Sequence, residues 1–321
     1  MKLLLWHVHG SWTNAFVQGD HEYLLPLTPH RGPDGLGRAR TWDWPVAARE
    51  VPVGELRDQE IDAVVLQRPH EAELVRQWTG RRPGRDLPAV YVEHNTPSQP
   101  FAEHPLARQC AIPLVHVTHF NRQIWSSGLA PARVIEHGVP DPGYRYTGEI
   151  ASAAAVVNDP LRRGRAVGAD VIAQASDHVP VDLFGMNVED MRSSRIRTYE
   201  DLPQHRMHAE LAQRAVYLHP CRWTSLGLSL IEAMMLGMPV VALDTTEASR
   251  AVPPQAGFLS NDLDELSGHL RRLVRDPALA AAMGRNAREV ALHRYGLARF
   301  LTDWDDLLTQ LTASPASAGR G

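Results

Sequence analysis

The stretch that decides the fold occupies residues 224–244 and reads TSLGLSLIEAMMLGMPVVALD. A polar entry with one glycine leads into a helical stretch that carries a single carboxylate, Glu232, and a glycine–proline stop then precedes an apolar strand. Gly227 permits close approach of the backbone to a ligand, and the free amides of residues 225–228 at a helix start suit a diphosphate. Glu232 lies about two turns further on, where a carboxylate can accept hydrogen bonds from a vicinal diol. The spacing alone is equally compatible with a solvent-facing glutamate beside a glycine that only aids packing.

Short apolar runs recur along the 321 residues and alternate with charged, amphipathic segments. Runs that are almost continuously apolar are typical of strands buried on both faces of a parallel sheet. The turn-rich segment DPGYRYTGEIAS, at 141–152, lacks periodicity and is the best candidate linker between two such halves. We therefore expect an α/β protein with two Rossmann-like parallel-sheet domains that face a central cleft. The runs are 2–9, 62–69, 87–95, 112–120 and 132–140 before the linker, and 153–158, 180–185, 214–220 and 238–244 after it.

The composition excludes several classes of protein. Hydrophobic residues make up 44% and charged residues 22%, as in soluble globular domains. A net charge of -4 without a dominant basic tract argues against a nucleic-acid partner. The apolar run at the N-terminus, residues 3–6, is too short for a secretion signal or a membrane helix, so we expect a cytoplasmic protein without an integral membrane segment.

Metal and disulfide sites are weakly indicated. Cys110 and Cys221 lack a CxxC spacing, which argues against a disulfide framework and a zinc knuckle. Sixteen histidines include two pairs at i,i+3 spacing, 116/119 and 205/208, but only a helix brings such a pair onto one face, and residue 116 falls in a predicted strand. We expect no metal and no cofactor.

Polar side chains follow several of the predicted strands. Ligands of open parallel sheets bind outside the carboxyl ends of the strands, so these residues are candidates for a site. No GxGxxG and no Walker A sequence follows a strand of the first half, which argues against a nicotinamide, flavin or P-loop nucleotide site. The polar strand ends are His7, His9, Gly10 and Ser11, then Glu93, His94 and Asn95, then His137 and Gly138, and finally His219 and Pro220.

Four stretches together resemble family 4 glycosyltransferases of the GT-B fold (glycosyl transferases group 1). Residues 224–244 resemble the family signature, in which two glutamates frame a glycine-containing entry and a small-residue helix ends in G-x-P-V-V-A. EHNTP, at 93–97, resembles the acceptor-side histidine turn. VIEHGVPDP, at 134–142, resembles the strand end that precedes the second domain, and residues 201–220 resemble the segment between the base pocket and the signature.

The resemblance implies that a sugar is transferred from a nucleotide-sugar donor to an acceptor, with retention of anomeric configuration and without a bound metal. Cations and helix-start amides then take up the charge that develops on the diphosphate. Arginine suits this role because a guanidinium meets phosphate oxygens bidentately. The implied domains are an acceptor-side domain at 1–145, a nucleotide-sugar domain at 150–297, a helix at 298–311 that crosses back to the first domain, and a disordered tail at 312–321.

The resemblance also implies roles for individual residues. We expect His94 to be catalytic, by donating to a hydroxyl of the donor sugar, and Glu232 to hold the ribose. Thr224 and Ser225 are expected to face the donor sugar. The residues expected at the diphosphate are Gly10, Arg162, Arg163, Leu226, Gly227 and Leu228.

The sequence departs from the family pattern at the donor site. Thr224 replaces the first signature glutamate, and the glycine loop of the first domain is shortened to HGSWTN, at 9–14. The phosphate stretch VVNDPLRRGRAVGAD, at 156–170, offers Arg162, Arg163 and Arg165 and no lysine, so no single arginine can be aligned with one role. These differences concern the donor sugar more than the fold.

Two other activities remain open. One is a nucleotide-sugar epimerase of GT-B fold, and the other, motivated by Thr224, is a catalytically silent glycosyltransferase-like subunit. The acceptor is a small molecule, a saccharide or a lipid-linked sugar. Trp12, Phe16 and Tyr23 offer stacking surfaces for it but are equally suited to core packing.

Overall fold

The chain folds into two compact units. The computed structural model describes residues 1–39, 42–100 and 102–313. Unit 1 consists of residues 1–138 together with the segment that begins at Leu297, and unit 2 consists of residues 139–296. Each unit is built on one parallel sheet, so the expected α/β class with two Rossmann-like domains is confirmed.

Unit 1 contains a seven-stranded sheet in the order β3-β2-β1-β4-β5-β6-β7. The strands are β1 (Lys2–Leu5), β2 (Glu22–Leu27), β3 (Ala48–Pro52), β4 (Ala63–Leu66), β5 (Ala89–Glu93), β6 (Leu114–His116) and β7 (Ala132–Val134). All of the pairings are parallel. The helices are α1 (Gly10–Phe16), α2 (Glu71–Thr79), α3 (His119–Ile124) and, numbered last in chain order, α11 (Leu297–Ala313), with a 3-10 turn at Val53–Asp58.

The strand order of unit 1 reverses between β1 and β4. The chain builds β2 and β3 on one side of β1 and then returns to build β4 to β7 on the other. This arrangement leaves a crevice outside the carboxyl ends of β1 and β4, where open α/β sheets bind ligands. The polar residues that follow β1, β5 and β7 therefore lie at one edge of the sheet.

The three aromatic residues that the sequence offers as stacking surfaces for an acceptor lie in α1 and β2. Trp12, Phe16 and Tyr23 are each only 1% exposed, which identifies them as core residues. Trp12 stacks on Phe16, with ring centroids 4.8 Å apart, and both rings meet Trp304 of α11 edge-on at 5.6 and 5.1 Å. Aromatic burial of this kind ties α11 to unit 1.

Helix α11 is anchored at further points on unit 1. Asp305 lies 2.9 Å from the His21 imidazole, and Arg299 donates to the backbone carbonyl of Glu136. Gly138 lacks a side chain where Phe300 packs, since a Cβ there would collide with that residue. The helix runs from Leu297 to Ala313, slightly beyond the expected 298–311. Of the expected disordered tail, residues 312 and 313 are helical, and 314–321 lie outside the described residues.

Unit 2 contains a six-stranded parallel sheet in the order β10-β9-β8-β11-β12-β13. The strands are β8 (Ile150–Val156), β9 (Val181–Gly185), β10 (Ile196–Glu200), β11 (Arg214–His219), β12 (Val240–Ala242) and β13 (Gly257–Leu259). The helices are α4 (Pro160–Arg163), α5 (Ala169–Ser176), α6 (Gln204–Leu211), α7 (Leu228–Leu236), α8 (Ala248–Ala251), α9 (Leu263–Arg275) and α10 (Pro277–Tyr295). The order reverses between β8 and β11, so a second crevice follows these two strands.

Residues 224–244 form the centre of unit 2. Helix α7 is apolar around most of its circumference and is buried from Leu230 to Leu236, as expected of a helix covered by neighbours on all sides. It ends at Gly237, whose φ of 93° lies in the left-handed region that favours glycine. A Cβ on Gly284 of α10 would collide with the carbonyl oxygen of Gly237, so the two helices approach closely.

The expected linker is bound to unit 2 along its length. Arg145 and Tyr146 donate their amides to the carbonyl of Leu236, and Arg288 of α10 forms a two-pronged ion pair with Asp141. Residues 150–152 already belong to β8. The division between the units therefore falls after residue 138, earlier than the turn-rich composition suggested.

Candidate functional site

The loop after β8 presents three arginines at the carboxyl edge of the unit 2 sheet. Asp159, with a φ of 52°, turns the chain into α4. Arg162 pairs with Asp159 at 2.6 Å, and Arg165 pairs with Asp170 at 2.8 Å. Within the described parts of the chain, the Arg163 side chain is exposed and has neither a hydrogen bond nor an ion pair, although its backbone amide donates to the Asp159 carbonyl. Of the three candidates, Arg163 is therefore the guanidinium that is available to an anion.

The loop after β11 lies directly beside this arginine loop. The amides of Arg222 and Trp223 both donate to the carbonyl of Ala166, at 2.9 and 3.0 Å. Arg222 also binds Asp170 with two hydrogen bonds of 2.6 and 3.0 Å. These contacts hold residues 165–170 beside residues 222 and 223.

The pKa of the Cys221 thiol reflects the burial and the charge at the point where the two loops meet. Its side chain is buried, and burial raises the pKa of the thiol to about 11. The nearby Arg163 guanidinium opposes this rise in the pKa, since a positive charge favours the thiolate. Arg163 thus projects its charge towards the end of β11, where the 224–228 stretch begins.

The start of α7 exposes backbone donors to the same edge. Gly227 is the N-cap and Leu228 the first helical residue. The amides of Leu226, Gly227 and Leu228 have no hydrogen-bond partner among the described residues. Helix-start amides of this kind favour anions.

Thr224 and Ser225 precede these amides. Ser225 is only 8% exposed. The Thr224 hydroxyl oxygen is buried, and it lies near the Cys221 thiol, which is a weak hydrogen-bond partner. A buried hydroxyl with so weak a partner is a position at which a ligand can supply a stronger hydrogen bond.

Glu232 is buried in unit 2, with only 3% of its surface exposed, so it is not a solvent-facing residue. One of its carboxylate oxygens accepts a hydrogen bond from Gln204 Nε2 at 2.9 Å, and the other lies 3.2 Å from His208 Nε2. A carboxylate has about four acceptor positions, so this arrangement fixes the group and leaves lone pairs for a diol. Gln204 and His208 were not predicted. Their i,i+4 spacing in a predicted helix was the signal that they share a face.

The carboxyl edge of the unit 1 sheet is lined by histidines. His94 is 7% exposed, and its Nε2 is buried without a hydrogen-bond partner among the described residues. The His9 ring lies over it with a centroid distance of 4.0 Å, and Trp12 meets it edge-on at 5.1 Å. Burial lowers the pKa of His94 well below its usual value, and the imidazoles of His9 and His137 act in the same direction.

The two other imidazoles are also uncharged at neutral pH. Burial lowers the pKa of His9 to about 4, with a contribution from Arg68, and lowers the pKa of His137 to about 3. A neutral imidazole donates through one nitrogen and accepts through the other. The edge therefore carries hydrogen-bonding groups without a fixed charge.

Hydrogen bonds of Glu93 and His104 hold the turn that carries His94. The Glu93 carboxylate accepts a hydrogen bond from the Asn95 amide at 2.8 Å and lies 3.1 Å from His104 Nε2. The Leu106 amide donates to His104 Nδ1 at 3.1 Å, so Nε2 is the donating nitrogen towards Glu93. Glu93 and His104 were not predicted to act in this way, because residue 104 lies far from the turn in sequence.

Gly10 is the first residue of α1, with His9 as the N-cap. A Cβ placed on Gly10 would meet the His7 ring at 3.8 Å, an ordinary contact distance. The geometry of unit 1 alone therefore does not demand a glycine at this position. Its expected role at the diphosphate remains a prediction.

No group of three or more histidine, cysteine or carboxylate side chains is arranged to hold a metal ion within residues 1–39, 42–100 and 102–313. His116 lies at the end of β6 and His119 begins α3, so this pair does not share a helical face. His205 and His208 do share α6, but His208 is engaged with Glu232. Over the same ranges, no helix is both long enough and apolar enough to span a membrane.

A family model matches the part of the chain that carries the α7 site. Residues 193–290 match the family described as "Glycosyl transferases group 1". The matched segment includes Gln204, Thr224 and Glu232 and ends within α10. No curated protein matches the chain.

Several solved structures share the complete architecture. Sucrose-phosphate synthase from Thermosynechococcus elongatus superposes with a TM-score of 0.70 at 14% identity, over 98% of this chain and 99% of that one. A glycosyltransferase from Rickettsia africae gives 0.70 at 13%, over 98% and 99%. HepE from Anabaena, solved with UDP and glucose, gives 0.70 at 14%, over 97% and 100%.

At such low identities the structural likeness establishes the fold alone, and the family match supplies the link to an activity. Both agree with the resemblance inferred from the sequence. The chain has the GT-B fold, and its unit 2 carries a segment that matches the glycosyl transferases group 1 family.

Proposed function

We propose that the chain transfers a sugar from a nucleotide-sugar donor to an acceptor, with retention of anomeric configuration and without a resident metal. The observation that carries the proposal is the unpaired Arg163 guanidinium at the edge where α7 presents its unbonded amides. A guanidinium and helix-start amides are the groups that bind a diphosphate in the absence of a cation.

In the proposed reaction the bond between the anomeric carbon and the diphosphate oxygen breaks, and the acceptor oxygen bonds to the same face of that carbon. The acceptor proton passes to the departing diphosphate. Arg163 and the amides of Leu226, Gly227 and Leu228 stabilise the negative charge that develops on this leaving group. The fixed orientation of α7 means that these donors need little reorganisation during the step.

Glu232 is proposed to hold the ribose. The hydrogen bonds from Gln204 and His208 fix the orientation of its carboxylate. A residue one to two turns from the helix start lies about 5–10 Å along the axis, comparable to the separation of phosphate and ribose. Thr224 and Ser225 would then face the donor sugar, with a hydroxyl at 224 where the family carries a carboxylate.

His94 is proposed to donate a hydrogen bond to a hydroxyl of the donor sugar. Its low pKa keeps the imidazole neutral at physiological pH, so it acts as a hydrogen-bonding group and not as a cation. The Glu93 carboxylate and His104 hold the turn that orients it.

A uridine diphosphate sugar is the first donor to test, because HepE was solved with UDP-glucose. The acceptor class stays as broad as the sequence left it: a small molecule, a saccharide or a lipid-linked sugar. We also propose that the protein is located in the cytoplasm, where it has access to its nucleotide-sugar substrates.

The proposal is tested by incubating the protein with a panel of nucleotide sugars and measuring released nucleoside diphosphate, with and without EDTA. We expect release from one donor, unchanged by EDTA, and a product with retained configuration once an acceptor is found. Interconversion of sugar nucleotides without release would identify an epimerase. Nucleotide binding without release or interconversion would identify a silent subunit and contradict the proposal.

A further inference from the structure

His219 is a buried imidazole beside the start of α7. It ends β11, is only 4% exposed, and is packed against the backbone of Gly227. A Cβ added to Gly227 would lie 3.1 Å from His219 Cε1 and 3.8 Å from Nδ1, so the imidazole would have to move by a few tenths of an ångström to accommodate it. Glycine at 227 therefore lets the ring reach the helix N-terminus.

The imidazole has no partner that explains its burial. His219 Nδ1 is buried without a hydrogen-bond partner in the described ranges, and the ring lies beside Gly227, whose amide also lacks a partner there. The neighbouring Tyr217 hydroxyl donates instead to Ser229, at 3.0 Å. A buried nitrogen without a hydrogen-bond partner destabilises the free protein, so stability does not explain why an imidazole stands at this position.

The diphosphate site is short of positive charge. The chain has one lysine, Lys2, and it lies in unit 1. In the loops beside α7, Arg162, Arg165 and Arg222 are each paired with a carboxylate, which leaves Arg163 for a ligand that carries two or more negative charges. A group that is neutral in the free protein but able to take up a proton supplies additional charge only when the ligand is present.

We propose that His219 donates a hydrogen bond to the diphosphate of the donor and takes up a proton from solvent when the nucleotide binds. The inference rests on the proposed function, since it assigns a further residue to the same donor site. No covalent bond of the ligand changes in this step. The proton is returned to solvent when the nucleoside diphosphate leaves.

The electrostatic surroundings permit this change of charge. Burial alone lowers the pKa of His219 to about 4, and no charged side chain contributes to the shift. The titratable groups around it include Tyr217 on the same strand, with ring centroids 6.4 Å apart, and Cys221 on the following loop. Glu232 acts on Tyr217, and Arg163 acts on Cys221. A diphosphate is then the anion that raises the pKa of the imidazole, and linkage requires that its affinity rise as pH falls.

Two substitutions separate the hydrogen bond from the charge. His219→Asn places an amide near the position of Nδ1 but never becomes a cation, whereas His219→Phe fills the space without a donor. Nucleoside diphosphate affinity is measured by calorimetry from pH 8 to pH 6, with UDP, GDP and ADP as probes and the tightest taken forward. His116→Asn in unit 1 is the matched control, because this histidine is also buried, neutral and at a strand end.

For the wild type we expect affinity to rise roughly tenfold between pH 8 and pH 6 if binding brings the pKa of His219 to about 7. The Asn variant should bind nearly as well as wild type at pH 8 and lose this additional pH dependence, and the Phe variant should bind more weakly at both pH values. The diphosphate also changes its own ionisation between these pH values, but it does so equally for wild type and variants, so this contribution cancels when their pH profiles are compared. Equal affinities and pH profiles in wild type and both folded variants would overturn the inference and make His219 a core histidine.

A second measurement covers the case in which the variants do not fold. In wild-type protein with ¹⁵N-labelled histidine, the His219 resonances are assigned through contacts with the Tyr217 ring and titrated with and without the nucleotide. We expect the pKa of His219 to rise on saturation, and an unchanged pKa would overturn the inference. Failure of all three nucleotides to bind would contradict the proposed function itself, which distinguishes the two failures.

Discussion

The carboxyl edges of the two parallel sheets have the same architecture and opposite chemistry. In unit 1 the edge carries His9, His94 and His137, which burial keeps uncharged at neutral pH. In unit 2 the edge carries Arg163, which has no carboxylate partner, and the unbonded amides at the start of α7. One edge is suited to hydroxyl groups and the other to an anion.

Strand order therefore determines where on the sheet a ligand site lies, whereas the residues that follow the strands determine which ligand it binds. A sugar nucleotide has both kinds of group, hydroxyls on the sugar and charge on the diphosphate. Changes at the unit 1 edge should therefore affect turnover, and changes at the unit 2 edge should affect nucleotide affinity.

The largest effect is expected at the unit 1 edge. His94→Ala should lower turnover by roughly tenfold to a thousandfold, on the scale of a positioned hydrogen-bond donor, and leave nucleoside diphosphate affinity nearly unchanged. The measurement is a pair of steady-state and calorimetric titrations. His116→Asn, a buried histidine at a neighbouring strand end, serves as the control and should keep its turnover. Near-normal turnover in folded His94→Ala protein would remove this residue from the site.

At the unit 2 edge, Glu232→Gln should weaken nucleotide binding by about 1–3 kcal/mol through loss of a charged hydrogen bond to the ribose. The comparison of UDP with 2′,3′-dideoxy-UDP assigns the loss, because the analogue lacks the hydroxyl pair. Wild type should bind the analogue less tightly than UDP, and the variant should discriminate much less. Unchanged UDP affinity in the variant would show that Glu232 serves only to bind Gln204 and His208.

Lowering the pH should reduce the stability of unit 1 more than that of unit 2. A buried histidine whose pKa is below the unfolded value of 6.5 stabilises the fold fully above that pH, and the contribution is lost as pH falls towards the folded pKa. Among the residues the structure describes, burial strongly lowers the pKa of four histidines in unit 1, against His219 in unit 2, and it also lowers the pKa of His7. The four are His9, His94, His116 and His137. Each of these strong shifts costs about 1 kcal/mol between pH 7.5 and 5.5.

Hydrogen exchange followed by mass spectrometry measures this difference, once intrinsic rates are corrected for pH. Opening free energies should fall more for the strands of unit 1 than for those of unit 2. An equal loss in both units would show that the unit 1 histidines do not stay neutral in the folded protein.

The sequence predicted nine strands and missed four, of which β3, β10 and β13 lie at sheet edges. Each of the nine apolar runs contains a strand, including the edge strand β7, because continuous apolar residues are typical of buried strands. β2 was missed because Pro26 interrupts its run, and β3, at one edge, is only partly buried. β10 and β13 are the edge strands of unit 2. β10 contains several polar residues, and β13 is only three residues long.

The site was predictable where its residues are adjacent in sequence. Arg162, Arg163 and the 224–232 stretch were found together, but the sequence could not choose among the arginines, since the choice depends on Asp159 and Asp170 as partners. The contacts of Glu93 with His104, and of Glu232 with His208, join distant segments. No local pattern reports such contacts, so they required the structure.

The central claim is that the unit 2 edge holds the diphosphate through Arg163. The direct measurement is the calorimetric affinity of UDP, or of whichever nucleoside diphosphate binds, for Arg163→Ala and Arg162→Ala proteins. The two residues are adjacent, and only Arg162 is paired with Asp159. We predict about a tenfold loss for Arg163→Ala, roughly 1.4 kcal/mol, and less than about threefold for Arg162→Ala. A loss below about threefold in both variants, or a larger loss for Arg162→Ala, would contradict the account.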